Sequence, residues 1–307
     1  MSITTYAYDV EDRLTDLTAP WGTVYSFGYD GEGRRTSLTS TAGRETTYAY
    51  TNGLLTALSH VQSGVPLTDL VYSYDVDAQL TGITDGLDPA KSLAISYDNL
   101  NRLVQVDQGD PAGVRLPIED YAYDGEGNRL ASHLSSLYSS NAHNQLLEDD
   151  SYTYAYDARG NRVSRTEKAT GAIETYSYDS QNRLVGYMSV TTTAAYAYDA
   201  FNRRIAKTLD SEVTAFVYDA SNRYSLPHDD ILFEFAGPIA ASPVLERRWL
   251  HGNRVDEPLA FEDYSASLNS PGDGTVYAVY ADRLGSISSV VDTSTGSVAA
   301  EYVSRSP

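Results

Sequence analysis

Alternation with a period of two dominates this chain. In Val24-Tyr-Ser-Phe27, Thr46-Thr-Tyr-Ala-Tyr50 and Ile173-Glu-Thr-Tyr-Ser-Tyr178, large apolar or aromatic residues alternate with small polar ones. Successive side chains of a strand point to opposite faces, so this spacing predicts short, half-buried strands. The stretch Tyr121-Ala-Tyr-Asp-Gly-Glu-Gly-Asn-Arg-Leu130 shows how they join. Tyr121 and Tyr123 share a face. Asp124 can close an Asx-turn on its own backbone, and Gly125, Gly127 and Asn128 tolerate the positive φ of a tight reversal. Arg129 and Leu130 begin the returning strand.

The unit recurs. Tyr-Asp stands at Tyr8, Tyr29, Tyr74, Tyr97, Tyr123, Tyr156, Tyr178, Tyr198 and Tyr218, and Tyr50 leads into an Asn-Gly turn, the strongest short hairpin signal. Successive tyrosines of this set lie 20 to 33 residues apart, which suits hairpins with variable outer turns. An Arg follows the Asp by four residues in most copies and by five at Arg129 and Arg162, so turns of two lengths are expected. Gln79 replaces the Arg in the copy at Tyr74. A second class of turn lies between units, in Pro20-Trp-Gly-Thr23, Thr41-Ala-Gly-Arg44, Asp110-Pro-Ala-Gly113 and Ala169-Thr-Gly-Ala172. Two turn types alternating with short strands predict an all-β fold, a continuous antiparallel meander of hairpins without a long helix. The irregular segment 132–144 reads as a loop or a short helical turn. Near residue 228 the pattern loosens. This divides a regular hairpin array, residues 1–228, from a divergent β module, residues 229–307, without making two independent globules.

Composition narrows the function. Tyrosine is strongly favoured, 26 against 6 Phe and 2 Trp. It suits a pleated surface with one apolar face and a hydroxyl that reaches a partner. A formal charge of −20 argues against nucleic acid, which needs clustered Lys and Arg. The absence of Cys excludes disulfides, a thiolate nucleophile and Cys-ligated metal. The N-terminal residues lack the basic and apolar regions of a signal peptide, and no apolar run approaches a membrane span.

The Tyr-Asp-x-x-(Gly)-Asn-Arg-Leu unit resembles the YD repeat of RHS proteins. His251-Gly-Asn-Arg-Val-Asp-Glu-Pro-Leu-Ala260, followed by Asp282-Arg-Leu-Gly-Ser-Ile287 and Gly296-Ser-Val-Ala-Ala-Glu-Tyr302, is similar to the opening of the RHS repeat-associated core. The resemblance covers essentially the whole chain. It implies a strip of hairpins wound as an open, curved spiral sheet, part of a shell that encloses or displays a C-terminal toxin or effector. Bacterial polymorphic toxins, the cocoon subunits of insecticidal Tc toxins and the teneurins are the relatives it points to. These are secreted, attached to cell surfaces or delivered by secretion machines, and some are thought to bind carbohydrate. The implied partners are a polypeptide effector or the remainder of the shell, with a glycan as the alternative. The family core continues into a self-cleaving aspartyl site and a payload, which this sequence does not reach. The expectation is therefore an incomplete shell (a fragment, a truncated frame or a piece of a split shell) whose open strand edges favour self-association.

Turn closure and a local Asp–Arg pair, as in Asp98 with Arg102 or Asp199 with Arg203, account for the repeat aspartates. A ladder of metal ligands, calcium above all, is the competing reading, but Asp124-Gly-Glu-Gly-Asn128 lacks the bidentate Glu of an EF-hand. The tyrosine rows Tyr154/Tyr156, Tyr176/Tyr178 and Tyr196/Tyr198 could stack on sugars or grip an unfolded payload. Cross-strand aromatic packing between successive hairpins is the favoured reading of them, and it is compatible with binding if the rows line a concave inner face. The five histidines, His60, His133, His143, His228 and His251, show no metal-ligand spacing. Asp256 and Glu257 are neighbours that point to opposite faces of a strand. No nucleophile elbow, P-loop or dinucleotide fingerprint is present. The sequence thus predicts a structural, non-enzymatic shell segment without metal or cofactor, with an adhesin-like, carbohydrate- or surface-binding module as the alternative.

Overall fold

The computed structural model describes residues 3–219, 230–239, 242–254, 256–264 and 270–302. Among them run 27 β-strands and one single-turn 3-10 helix, Pro89–Lys91. Except between Arg129–Ser132 and Tyr138–Ser140, each strand pairs antiparallel with its neighbours in sequence, which is the all-β meander that the period-two pattern predicts. The strands form two sheets, neither closed into a barrel. The first has 12 strands, from Thr5–Tyr8 to Arg129–Ser132; the second has 15, from Tyr138–Ser140 to Val298–Glu301. Between them the ladder thins to one isolated bridge, Ser132 with Ser135. The expected boundary at residue 228 lies outside the described residues; the ladder resumes with Glu212–Tyr218 paired to Ile231–Pro238.

Segment 132–144, expected as a loop or a short helical turn, opens with a tight turn in which Ser135 N–H donates to the Ser132 carbonyl at 3.1 Å. It holds the strand Tyr138–Ser140 and then a reversal built like the others. Asn141 N–H donates to the Gln145 carbonyl at 2.9 Å, Asn141 Oδ1 accepts from the amides of His143 and Gln145, and Asn144 has φ 58°. This is a further copy of the unit. Asn141 stands for the Asp and Ser140 for the Tyr, so the sequence pattern hides it.

Curvature has a local cause. Where each strand meets its Tyr-Asp turn, the register shifts by one residue. Tyr97 pairs with Leu103 but Ser96 with Gln105, leaving Val104 extra; Tyr178 pairs with Leu184 but Ser177 with Gly186, leaving Val185 extra. The same bulge occurs beside Tyr8, Tyr29, Tyr123, Tyr156 and Tyr198. An extra residue on one strand bends it and raises its twist. Bulges repeated on the returning strand, hairpin after hairpin, turn a flat meander into a curved wall.

The curved chain returns on itself, and there the core forms. Leu14, Leu17, Tyr25, Phe27 and Leu38 of the first sheet are buried against Leu250, Leu259 and Ala260 of the second. Leu67 packs on Ala278, Tyr280 and Val291. A second cluster on the first sheet comprises Leu58, Tyr72, Leu80, Ile95 and Val106. By contrast, the strands between Tyr152 and Tyr218 bury Ala194 alone among the described residues; their tyrosine face is only half covered. The described core is thus concentrated where two sheets stack, as layered architectures require.

Leu259 is 1% exposed in that stack and Ile173, on the open part of the second sheet, is 53% exposed. Leu259→Ala is expected to lower the unfolding free energy by about 2–5 kcal/mol, and Ile173→Ala by no more than about 0.5 kcal/mol. Urea unfolding followed by circular dichroism measures both. Equal, small losses would contradict a packed stack.

Candidate functional surface

The described Tyr-Asp turns share one use of the carboxylate, with Asp75 alone engaging only its Oδ1 in the hydrogen bonds shown. Asp98 N–H donates to the Arg102 carbonyl at 2.9 Å, its Oδ1 accepts the amides of Leu100 and Arg102 at 2.9 and 3.0 Å, and its Oδ2 accepts Arg102 Nε at 2.8 Å. The third residue after the Asp is left-handed, at φ 61° for Asn101 and 90° for Gly127, which favours Asn or Gly, although Asp12 and Ala78 hold the same place at φ 58° and 64°. The two expected turn lengths are one. Tyr97 pairs with Leu103 and Tyr123 with Arg129, six residues on in both cases. In the copies with Gly-Asn the Asn fills the place of the Arg: Asn128 Nδ2 donates to Asp124 Oδ2 at 2.9 Å. Arg129 then belongs to the returning strand. The shorter turn is Asn52-Gly53, both residues at positive φ, where Tyr50 pairs with Leu55.

These contacts hold the carboxylates below their usual range, Asp98 chiefly through the Arg102 amide and Asp124 chiefly through the Asn128 side chain. The expected Asp–Arg pairs are present, Asp98 with Arg102 and Asp199 with Arg203. Among the described residues, no three His, Asp or Glu side chains gather as a metal site. His133 packs edge-on against Tyr121 at 5.6 Å, and His251 Nε2 donates to the Ile231 carbonyl at 2.9 Å. His228 lies outside the described residues.

The tyrosine before each Asp ties its hairpin to the one before. Tyr29, Tyr50, Tyr74, Tyr97, Tyr123, Tyr156, Tyr178, Tyr198 and Tyr218 donate their hydroxyls to backbone carbonyls of the preceding unit, at 2.8 to 3.1 Å. Arginine reaches the other way. Arg102 Nη1 donates to the Asp124 carbonyl at 3.0 Å with its guanidinium 4.7 Å from the Tyr123 ring, and Arg183 repeats this on Asp199 and Tyr198. A ladder of Tyr–carbonyl bonds and Arg–Tyr stacks therefore runs along the rim of the turns.

All six residues of the tyrosine rows lie on one half-buried face of the second sheet. Tyr156, Tyr178 and Tyr198 belong to the rim ladder. Tyr154 donates to Asp149 Oδ2 at 2.6 Å and Tyr176 to Glu174 Oε2 at 2.8 Å, while Tyr196 lies 5.8 Å from the Arg204 guanidinium. Along these three rows successive hairpins do not meet ring on ring. Arg162 stands between them, 5.7 Å from Tyr154 and 4.7 Å from Tyr176, and Arg204 stands likewise between Tyr196 and Phe216. The expected aromatic packing is corrected to aromatic–guanidinium–aromatic stacking, which also keeps a cation on a half-wet face.

Where the sheets stack, the contacts turn polar and specific. Arg35, 1% exposed, forms an ion pair with Glu257, donates to Asn253 Oδ1 at 2.7 Å and lies over the Phe27 ring. Arg44 donates to the carbonyls of Leu259 and Val279 at 3.2 and 2.8 Å, 4.5 Å from the Tyr280 ring. His60 Nε2 donates to the Ala281 carbonyl and Nδ1 accepts from Thr46, each at 3.0 Å. Tyr280 donates to Gln62 Oε1 at 2.7 Å. Burial first, and the Arg44 charge second, push the His60 pKa down to about 3. Sequence reasoning missed this set. Arg35 gave no signal, because Arg129, Arg162 and Arg204 occupy the same place in their own copies.

Two family models match the chain, the teneurin YD-shell over residues 73–228 and the RHS repeat over residues 8–45. The chain belongs to the YD-shell family. Among curated proteins no sequence matches it. Among solved structures, the crystal structure of TcdB2-TccC3-TEV aligns at 13% identity and TM-score 0.50, over 98% of this chain and 18% of that one. The Photorhabdus luminescens Tc holotoxin pore aligns at 14% identity and TM-score 0.43, over 97% and 17%. At such identities the likeness is one of fold. This YD-shell chain spans less than a fifth of the length of either structure.

The stack makes stability depend on pH through His60. Unfolded, His60 takes a proton near its ordinary 6.5; folded, it does so only near 3. Between those values the unfolded state binds more protons, so stability falls as pH falls, by up to about 1.4 kcal/mol per unit. The turn aspartates, depressed when folded, add their loss only as pH drops below about 4. His60→Gln is expected to flatten the stability profile between pH 6 and about pH 4.5, read by urea unfolding at each pH. An unchanged slope would contradict a buried, neutral His60.

Proposed function

We propose that this chain is a structural, non-catalytic segment of a YD-type shell, a curved β wall that encloses or displays another polypeptide. The observation that carries the reading is the repeated bulge-plus-ladder geometry. One turn, one bulge and one tyrosine bond per hairpin give a wall that extends by repetition. Family membership supports it, and the fold likeness to the TcdB2-TccC3-TEV structure is consistent with it. The tyrosine rows favour a wall over a glycan site, because at Tyr154, Tyr156, Tyr176, Tyr178 and Tyr198 the hydroxyls already donate within the protein. A hydroxyl so engaged has little left to offer a sugar. The cargo would be a polypeptide effector held by the wall or by a larger assembly that includes it.

Both ends of the described ladder are edge strands, Thr5–Tyr8 and Val298–Glu301, and free edges recruit further strands. The purified chain at rising concentration is expected to give a light-scattering mass above 33.6 kDa and, in negative-stain micrographs, curved plates or open shells. A constant monomer mass with featureless compact particles would overturn the shell reading.

A further inference from the structure

One contact of the stack uses a side-chain arrangement that recurs elsewhere in the chain. Opposite the repeat tyrosine, the first residue of the returning strand is Leu in some copies and Arg in others. In the first sheet Tyr8 pairs with Leu14 and Tyr29 with Arg35. In the second, Ser140 pairs with Leu146 and Tyr156 with Arg162, then Tyr178 with Leu184 and Tyr198 with Arg204. Each of these leucines stands one hairpin before an arginine, two strands or roughly 9–10 Å away. Each arginine also lies over the ring two residues before its paired tyrosine: Arg35 over Phe27 at 4.6 Å, Arg162 over Tyr154 at 5.7 Å and Arg204 over Tyr196 at 5.8 Å.

In the first sheet this group of Leu, ring and Arg is filled. Leu14 and Phe27 are buried in one cluster with Leu259, Glu257 forms an ion pair with Arg35, and Asn253 Oδ1 accepts from Arg35 at 2.7 Å. All three partners come from one hairpin tip, closed by Gly252 N–H donating to the Glu257 carbonyl at 2.9 Å. In the second sheet the same group is uncovered. Arg204 is exposed, and Leu146, Arg162 and Leu184 are half-buried. Among the described residues neither the Arg162 nor the Arg204 guanidinium forms an ion pair or donates a hydrogen bond. The neighbouring Glu174 is already held by Arg165 at 2.6 Å and Tyr176 at 2.8 Å. A ring holds a guanidinium by its face, which leaves the N–H edge for a carboxylate in the same plane.

We propose that Leu146 with Arg162, and Leu184 with Arg204, are docking sites for an acidic–aliphatic turn of a separate polypeptide: a Glu with an aliphatic residue two places later, as in Glu257-Pro258-Leu259. The filled copy names the occupant, because the same three groups in the first sheet take a carboxylate and a leucine from a hairpin tip. A polyanion fits poorly. The turn carboxylates Asp157, Asp179 and Asp199 lie along the adjoining rim, and the chain as a whole carries −20. The inference rests on the wall reading, which supplies a polypeptide to be held, and adds the chemistry that holds it.

The test is fluorescence anisotropy with the full chain and a labelled peptide that copies residues 250–260, Leu-His-Gly-Asn-Arg-Val-Asp-Glu-Pro-Leu-Ala, cyclised to hold the tip. Saturable binding is expected. It weakens about fivefold or more when glutamine replaces the peptide's glutamate, and likewise in the double variant Arg162→Gln/Arg204→Gln. Arg162→Lys/Arg204→Lys, which keeps the charge and loses the planar fork, is expected to weaken it as well. Thermal melting by circular dichroism checks that each variant is folded, and the glutamine peptide alone decides if they are not. Absence of saturable binding at millimolar peptide, equal affinity for the glutamine peptide, undiminished binding to either folded variant, or tighter binding of hexaglutamate would each overturn the proposal. Curved plates in micrographs without peptide binding would remove this inference and leave the wall reading standing.

Discussion

A lone β-hairpin has two unpaired edges and one uncovered apolar face, and this chain is organised by how each hairpin hands those needs to the next. The hand-over is the tyrosine before each Asp. Its ring covers part of the shared face, and its hydroxyl donates to a carbonyl of the preceding unit, nine times along the described chain. A net intramolecular hydrogen bond contributes only about 1 kcal/mol, so no single one holds the wall. Their value is geometric. Each fixes one turn against its neighbour, and the forward-reaching arginines fix it from the other side. A residue with a ring and no hydroxyl would fill the space and lose the tie.

Repetition of one bulge then decides the shape. Because the bulges beside the turn tyrosines place their extra residue on the returning strand each time, those bends add in one sense. Bending brings Leu250, Leu259, Ala260, Ala278, Tyr280 and Val291 over the face of the first hairpins, and much of the described core gathers there. The polar contacts of that stack, Arg35 with Glu257, Arg44 with two carbonyls, His60 with Ala281, pair buried donors with acceptors of the opposite sheet, although Arg35 Nε has no hydrogen-bond partner. Buried charge is costly unless paired. Such contacts therefore specify which strands meet more than they add stability, while Leu14, Leu17, Leu250 and Leu259 supply the apolar burial.

The strands and turns were legible from the sequence because local rules produce them. Period-two alternation marks the strands, and Asp, Asn and Gly at fixed offsets mark the reversals. The hairpin at Asn141 escaped because its Asp and its Tyr are both replaced, although Asn forms the same Asx-turn. The bulges escaped because an extra Thr, Val or Ile looks like any other strand residue. The apparent second turn length came from counting to the Arg, when the position that closes the turn is occupied by either Arg or Asn. The stack was invisible for a different reason. Arg35, Arg44, His60 and Glu257 are residue types that read as surface, and only the return of a distant strand buries them. The placement of the six tyrosines on one face was legible; the arginines between them were not.

The central claim is that the end of the second sheet and the start of the first share one cooperative core. Native-state hydrogen exchange, followed by mass spectrometry in low urea, tests it most directly, because strands of one cooperative unit open together. The account predicts that Leu14–Thr18 and Pro258–Asp263 exchange at the same slow rate and lose protection in parallel as urea rises. Fast exchange in Pro258–Asp263 while Leu14–Thr18 stays protected would contradict it.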